Sequence, residues 1–450
     1  MADARTSEPW FDELADFLRI PSISADPAHK DDVQRAGEWV CERVREAGGE
    51  CEIVDWHGQP LAIGEIRASK GTASKDAENA PTVLCYGHFD VQPPDPLELW
   101  ESDPFEAEIR GDYLYGRGTV DDKGQLYMLL AAARELAQAG ELPVNVRFTC
   151  DGEEETGGHS IVEYLEQDER GADAAIIFDS GMIKRDLPAF NVATRGVIYW
   201  HLTLRTGDRD LHSGMYGGAA LNAAHAMIKM LNGLVAHDGT LVDELRVGRA
   251  VPTTDELAGW QALPAGSSEL SDQGARPKDA RAAEDFYLRT FAEPAIDVNG
   301  ISTGSPQLQK TVLPVEAIAN VSMRLAPGQK IDDVAPVVER LLRESAPEGA
   351  ELEIERWSAA PPGLVPPDAK AIQLGLDAFE KVLGVRPALI RTGGTLPIVP
   401  ALADQGIPTV ITGFGLPDSQ IHSPNERLVA EYVPLGIAAA RELFLAFRDL

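Results

Sequence analysis

The chain has 450 residues, 44% of them hydrophobic and 25% charged, a balance that excludes disordered and collagen-like architectures and leaves room for two domains. Its 72 acidic residues against 40 basic ones give a formal net charge of −32. Such a surface repels phosphate backbones and anionic lipid, so neither nucleic acid nor membrane is an expected partner.

The segment Met1–Leu18 carries Asp3, Glu8, Asp12, Glu13 and Asp16 and lacks a basic start followed by an apolar run, which is unlike a signal peptide. No stretch reaches the roughly 18 uncharged apolar residues that a membrane span needs. The cysteines, Cys41, Cys51, Cys85 and Cys150, show no CxxC spacing, so reduced, buried thiols and a cytoplasmic setting are expected.

In chain order, helices are predicted at Trp10–Ile20 and at Asp32–Ala47, the second with Val33, Ala36, Val40 and Val44 at helical spacing ahead of Gly48-Gly49. Continuous apolar runs follow at Pro81–Tyr86, Val144–Cys150, Ala174–Phe178 and Pro408–Thr412, as in strands buried on both faces of a mostly parallel sheet. Helices at Gln125–Ala139 and Ser160–Glu166 supply its crossovers. The middle alternates instead: Gly196–Thr206 and Ala317–Leu325 read as antiparallel strands, with Val321, Met323 and Leu325 on one face. A helix over Gly218–Leu234 would present Leu221, Ala224, Ile228 and Leu231, while Pro252–Asp285 reads as long loops. The helix Ala369–Leu383 resumes the first pattern. The fold class predicted is α/β, a mostly parallel sheet flanked by helices, with an inserted α+β domain; the boundaries are 1–193, 194–361 and 362–450.

Each apolar run ends in ligand-type residues. Gly87-His88-Phe89-Asp90 follows the first, Asp151-Gly152-Glu153-Glu154-Glu155 the second and Asp179-Ser180-Gly181 the third, while Gly415–His422 trails the fourth. Open α/β sheets place their sites just past the carboxyl ends of parallel strands. A Gly-rich turn, Tyr115 to Gly124, adds Asp121 and Asp122. Imidazoles and carboxylates converging in one cleft would suit two divalent metals. Taken singly, each feature has an ordinary reading: a polar pair, a helix-capping cluster, a solvated run of glutamates. Their recurrence at strand ends favours the site.

HFDVQPP, YGRGTVDDKG, DGEEETGG, IIFDSG and IHSPNE resemble, in order and context, the motifs of the two-metal peptidase family that contains carnosinases, cytosolic non-specific dipeptidase, carboxypeptidase G, succinyl-diaminopimelate desuccinylase and aminoacylases. The strings DLHSGMYGG and KTVLP resemble its carnosinase and non-specific dipeptidase branch. The resemblance implies that His88, Asp121 and Asp179 hold one ion and Asp121, Glu155 and His422 the other, with Asp121 shared. The ions would be Zn2+, with Mn2+ or Co2+ as alternatives. It implies further that Asp90 orients His88, that Glu154 is the general base acting on a metal-bridging water, and that His212 stabilises an oxyanion. Arg324, Thr311 and Thr395 would contact the substrate, and the inserted domain would act as a lid and dimerise the protein. The chain departs from the family pattern at Thr392 and Thr395, where Glu and Ser are expected. Glu153 matches no role and is expected to be solvated. The activity implied is a metallopeptidase, a dipeptidase on small peptides; the alternatives are an N-acyl amino acid deacylase such as a desuccinylase or deacetylase, and a non-catalytic binding scaffold. Asp179 favours the dipeptidase, because the family's deacylases tend to carry Glu there.

Overall fold

The computed structural model describes residues 8–70, 80–235, 240–261, 263–393, 396 and 398–450. The chain divides into two compact units. One comprises Met1–Val192, Val365–Ile390 and Pro397–Leu450; the other comprises Ala193–Leu364 and Arg391–Leu396. The short stretch Arg391–Leu396 therefore groups with the second unit, a grouping that contiguous sequence boundaries do not anticipate. Within that unit Arg391 makes a buried bidentate pair, donating from Nε (2.7 Å) and Nη2 (3.1 Å) to the Glu256 carboxylate.

The first unit is built on a six-stranded sheet in the order Glu50–Trp56, Gln59–Ile66, Asn145–Asp151, Thr82–His88, Ala174–Phe178 and Thr409–Thr412. The last four run parallel, and the first two add an antiparallel edge. Asn145–Asp151, Ala174–Phe178 and Thr409–Thr412 are buried along their whole length, as expected when helices cover both faces; Ala174–Phe178 is apolar throughout, whereas the first also buries Asn145, Arg147 and Thr149. Helix Lys123–Ala139 packs against helix Tyr432–Ala446, which in turn packs on helix Lys370–Leu383. Gly436 permits the close approach, since a methyl group there would collide with Met128. No helix among the described residues is long and apolar enough to cross a membrane.

The second unit holds a four-stranded antiparallel sheet in the order Ala295–Thr303, Glu316–Leu325, Gly196–Arg205 and Glu351–Ala360. Ile198, Trp200, Leu202 and Leu204 alternate with less buried residues and join Val321, Met323 and Leu325 in one core. Helices Ala223–Asn232 and Ile331–Ser345 cover that face. The helical face predicted for the first of these needs correction. Asn222 caps its start by accepting from the Ala224 and His225 amides; packing on the sheet buries Ala223, Ala226, Met227 and Met230, with Leu231 partly buried beside them and Ile228 exposed. The stretch expected to be loops contains helices Thr254–Trp260 and Gly266–Asp272. A capping box between Thr253 and Glu256 starts the former.

The cysteine expectation is corrected in part. Cys85 and Cys150 are free and buried, but Cys41 and Cys51 form a disulfide. The turn at Gly48, with φ +82°, folds strand Glu50–Trp56 back beside helix Lys30–Glu46 and leaves the two Cα atoms 5.1 Å apart, within disulfide range. Thiol titration of the denatured protein should therefore find two thiols without reductant and four with it; four in both conditions would contradict the pairing.

Candidate metal centre

The parallel strands place the reactive side chains of the first unit side by side. His88 ends strand Thr82–His88 and lies in register with Asp151, the last residue of its parallel neighbour. The His88 ring is fully buried. Its Nδ1 lies 3.1 Å from the Asp90 main-chain oxygen, and a carbonyl can only accept, so Nδ1 carries the proton and Nε2 is left as the donor atom for a cation. That Nε2 is 2.9 Å from Asp121 Oδ1. The other Asp121 oxygen, Oδ2, is 2.8 Å from Nε2 of His422, which also reaches Glu155 Oε2 at 3.1 Å. Two ligand sets result, His88 with Asp121 and Asp179, and Asp121 with Glu155 and His422, each with its donor atoms within 4.8 Å of one another.

The electrostatics show a cluster short of positive charge. Burial alone would raise the Asp121 carboxyl, yet hydrogen bonds from His422 and His88 outweigh it and hold the group well below the usual carboxylate range. The same bonds to Asp121 and Glu155 lift His422 to about 10. Asp179 is pushed up to about 7 by burial, with Asp121 and Glu155 adding to the rise against relief from His88. Glu154 is pushed up to about 8 by burial, with Asp179, Glu155 and Asp90 contributing. Buried carboxylates beside imidazole nitrogens form a donor set that fits divalent cations.

Supporting groups hold these side chains. The Asp90 carboxylate accepts from the Glu154 amide at 3.2 Å and the Glu155 amide at 3.1 Å, so one buried residue orients His88 and both glutamates. Gln92, within the HFDVQPP string, was not singled out from the sequence. Its Nε2 donates to Glu155 Oε2 at 2.7 Å and its amide to Oε1 at 3.2 Å. Gln125 was also missed: Nε2 donates to the carbonyls of Val120 and Ser180, and Oε1 accepts from the Phe414 amide. Asp122 precedes helix Lys123–Ala139 but makes no side-chain cap; its Oδ2 accepts from the His88 amide instead. Glu153, expected to be solvated, is buried and accepts from the Ser160 amide at 2.6 Å, because the turn after Gly152 folds it under helix His159–Gln167. His422 has φ +58° and Asn425 φ +64°, left-handed conformations that non-glycine residues hold where surroundings impose them, commonly at functional sites.

The remaining predicted residues lie in the second unit. His212 pairs with Val312 in a short antiparallel ladder, and its exposed ring accepts from the Gly214 amide through Nδ1 at 3.0 Å. Thr311 sits beside it, its carbonyl accepting from the Ser213 amide at 2.9 Å. Arg324 lies on strand Glu316–Leu325, half-buried on the face opposite the core and in register with Val197 and Ala295. Thr395 lies outside the described residues.

The pattern of Peptidase family M20/M25/M40 matches residues 84–446. The chain is 26% identical to the cysteinylglycine-S-conjugate dipeptidase of Corynebacterium striatum, over 98% of this chain and 96% of that protein. It is 26% identical to the Beta-Ala-His dipeptidase of Homo sapiens, over 92% of this chain and 85% of that protein. Among solved structures, the M20 family metallo-carboxypeptidase Sso-CP2 from Sulfolobus solfataricus is similar with a TM-score of 0.83 at 25% identity, covering 98% of this chain and all (100%) of that one.

Proposed function

The chain belongs to Peptidase family M20/M25/M40, and from that premise we propose that it is a dipeptidase working with two divalent cations. His88, Asp121 and Asp179 would hold one ion, and Asp121, Glu155 and His422 the other. The observation that carries this reading is Asp121, whose two oxygens face two different imidazoles at 2.9 and 2.8 Å and so join both ligand sets. Nitrogen and oxygen donors suit Zn2+ first, and also Mn2+ or Co2+. Such ions supply Lewis-acid polarisation of the scissile carbonyl and acidify a nucleophilic water.

The chain's own residues do the rest. Glu154 takes the proton from the attacking water and returns it to the leaving amine. Asp90 keeps the His88 Nδ1 proton in place and sets the backbone of Glu154 and Glu155. In the second unit, Arg324 offers a planar bidentate partner for the peptide's terminal carboxylate. His212 donates to the developing oxyanion, and Thr311 and Thr395 give polar contacts. A homodimer formed through the second unit and a cytoplasmic setting belong to the same reading. The free thiols of Cys85 and Cys150 suit a reducing compartment, whereas the Cys41–Cys51 disulfide runs against it.

Elemental analysis of the purified protein, followed by assay of a dipeptide panel beside longer peptides and N-acetyl and N-succinyl amino acids, tests the reading. Two bound divalent ions per chain and turnover confined to dipeptides are expected. Cleavage of acyl substrates only would move the activity to a deacylase, and full turnover in chelator-treated, metal-free protein would refute the cation mechanism.

A further inference from the structure

Glu426 is a buried carboxylate that the catalytic reading leaves without a task. It closes the IHSPNE string, four positions after His422, and is fully buried. Its Oε2 accepts from Arg117 Nη1 at 2.7 Å and from the Gly118 amide at 3.0 Å. Its Oε1 accepts from the Val120 amide at 2.9 Å and from the Asp121 amide at 3.2 Å. The Glu426 main-chain oxygen accepts from the Gly116 amide at 3.1 Å. The turn that presents Asp121 is thus wrapped around one side chain that belongs to the loop carrying His422.

We propose that Glu426 is the positioning residue that sets Asp121 against His422 and Glu155, and so determines the cation position that those three residues form. The inference rests on the two-cation reading above. Neutralising Arg117 does not account for the arrangement, because a pair with that guanidinium engages Oε2 alone. Among the described residues, Oε1 accepts from the Val120 and Asp121 amides. A buried ion pair is also a poor source of net stability compared with well-packed apolar side chains. The carboxylate acts as an internal anion in a cradle of amides, the role a bound phosphate plays in other glycine-rich turns. Asp121 then reaches His422 Nε2 at 2.8 Å, and Arg117 fastens the far side of the turn by donating to the Pro93 carbonyl at 3.1 Å. His88 is placed differently, by its own strand and by Asp90. Loosening Glu426 should therefore weaken one cation position more than the other.

The test compares the full-length wild type with Glu426→Gln and Glu426→Asp by calorimetric Zn2+ titration and elemental analysis after dialysis, with folding followed by circular dichroism. Glutamine puts an NH2 group among converging N–H donors, and aspartate keeps the charge but is too short to reach both ends of the turn. Because Asp121 is shared, each variant should bind both Zn2+ ions more weakly, one by about 10–100-fold, the range seen when a group supporting a metal ligand is removed, and the other by less. Wild-type affinity for both ions, equal weakening of both, or failure of both variants to fold would overturn the proposal, the last two because Glu426 would then serve the fold as a whole. A wild type that binds fewer than two ions fails the two-cation reading itself, which the variants' comparison cannot mimic.

Discussion

Asp121→Asn is expected to empty both cation positions and to abolish turnover. The substitution is nearly isosteric, and the main-chain amide of residue 121 keeps its bond to Glu426, so the turn should persist. What is lost is the charge and one acceptor, on the one carboxylate that faces both His88 and His422. An NH2 group directed at either imidazole also blocks the nitrogen that a cation needs. Removing a shared ligand should cost more than the about 10–100-fold in affinity that follows loss of a supporting group. Elemental analysis after dialysis reads the outcome, and retention of two ions per chain would show that Asp121 is not the bridge.

Glu154→Gln should have a comparably large effect on rate with no effect on metal content. Glu154 is in neither ligand set, and its backbone is held by Asp90 through the amide at 3.2 Å, so the variant should fold and load normally. Loss of a positioned general base costs about 10²–10⁴-fold, to be seen in kcat at saturating substrate. The pH profile gives a second readout. A base works when deprotonated, so the wild-type rate should climb with pH through the Glu154 pKa, which burial pushes up to about 8 without cations and which bound cations would pull down. In Glu154→Gln that acid limb should vanish. An unchanged kcat, or an unchanged limb on a slower enzyme, would assign the proton transfer to another group.

These expectations draw on different depths of information. The parallel strands were legible because a strand buried on both faces is predominantly apolar, and Ala174–Phe178 is apolar at every position. Their chemistry was legible because ligand-type residues follow strand ends directly in the chain. Residues that act through contacts distant in sequence left no such mark. Gln92 reads as loop polarity until Glu155 is beside it, and Glu153 as a solvated acid until the Ser160 amide meets it. The buried face of helix Ala223–Asn232 was misread because packing against the sheet decides which side chains turn inward, and Ala223, Ala226, Met227 and Met230 do so.

By itself, then, the sequence determined the layered α/β class, the inserted antiparallel unit and the set of side chains able to meet at the strand ends. All of these follow from periodicity and residue chemistry, which are local properties. Only the tertiary structure decided that each Asp121 oxygen faces a different imidazole, that Glu426 holds the amide of Asp121, that Cys41 pairs with Cys51 and that Arg391 pairs with Glu256. Those pairings join residues from 10 to 305 positions apart, and they form where chain closure brings buried donors and acceptors together, because each must find a partner once water is excluded.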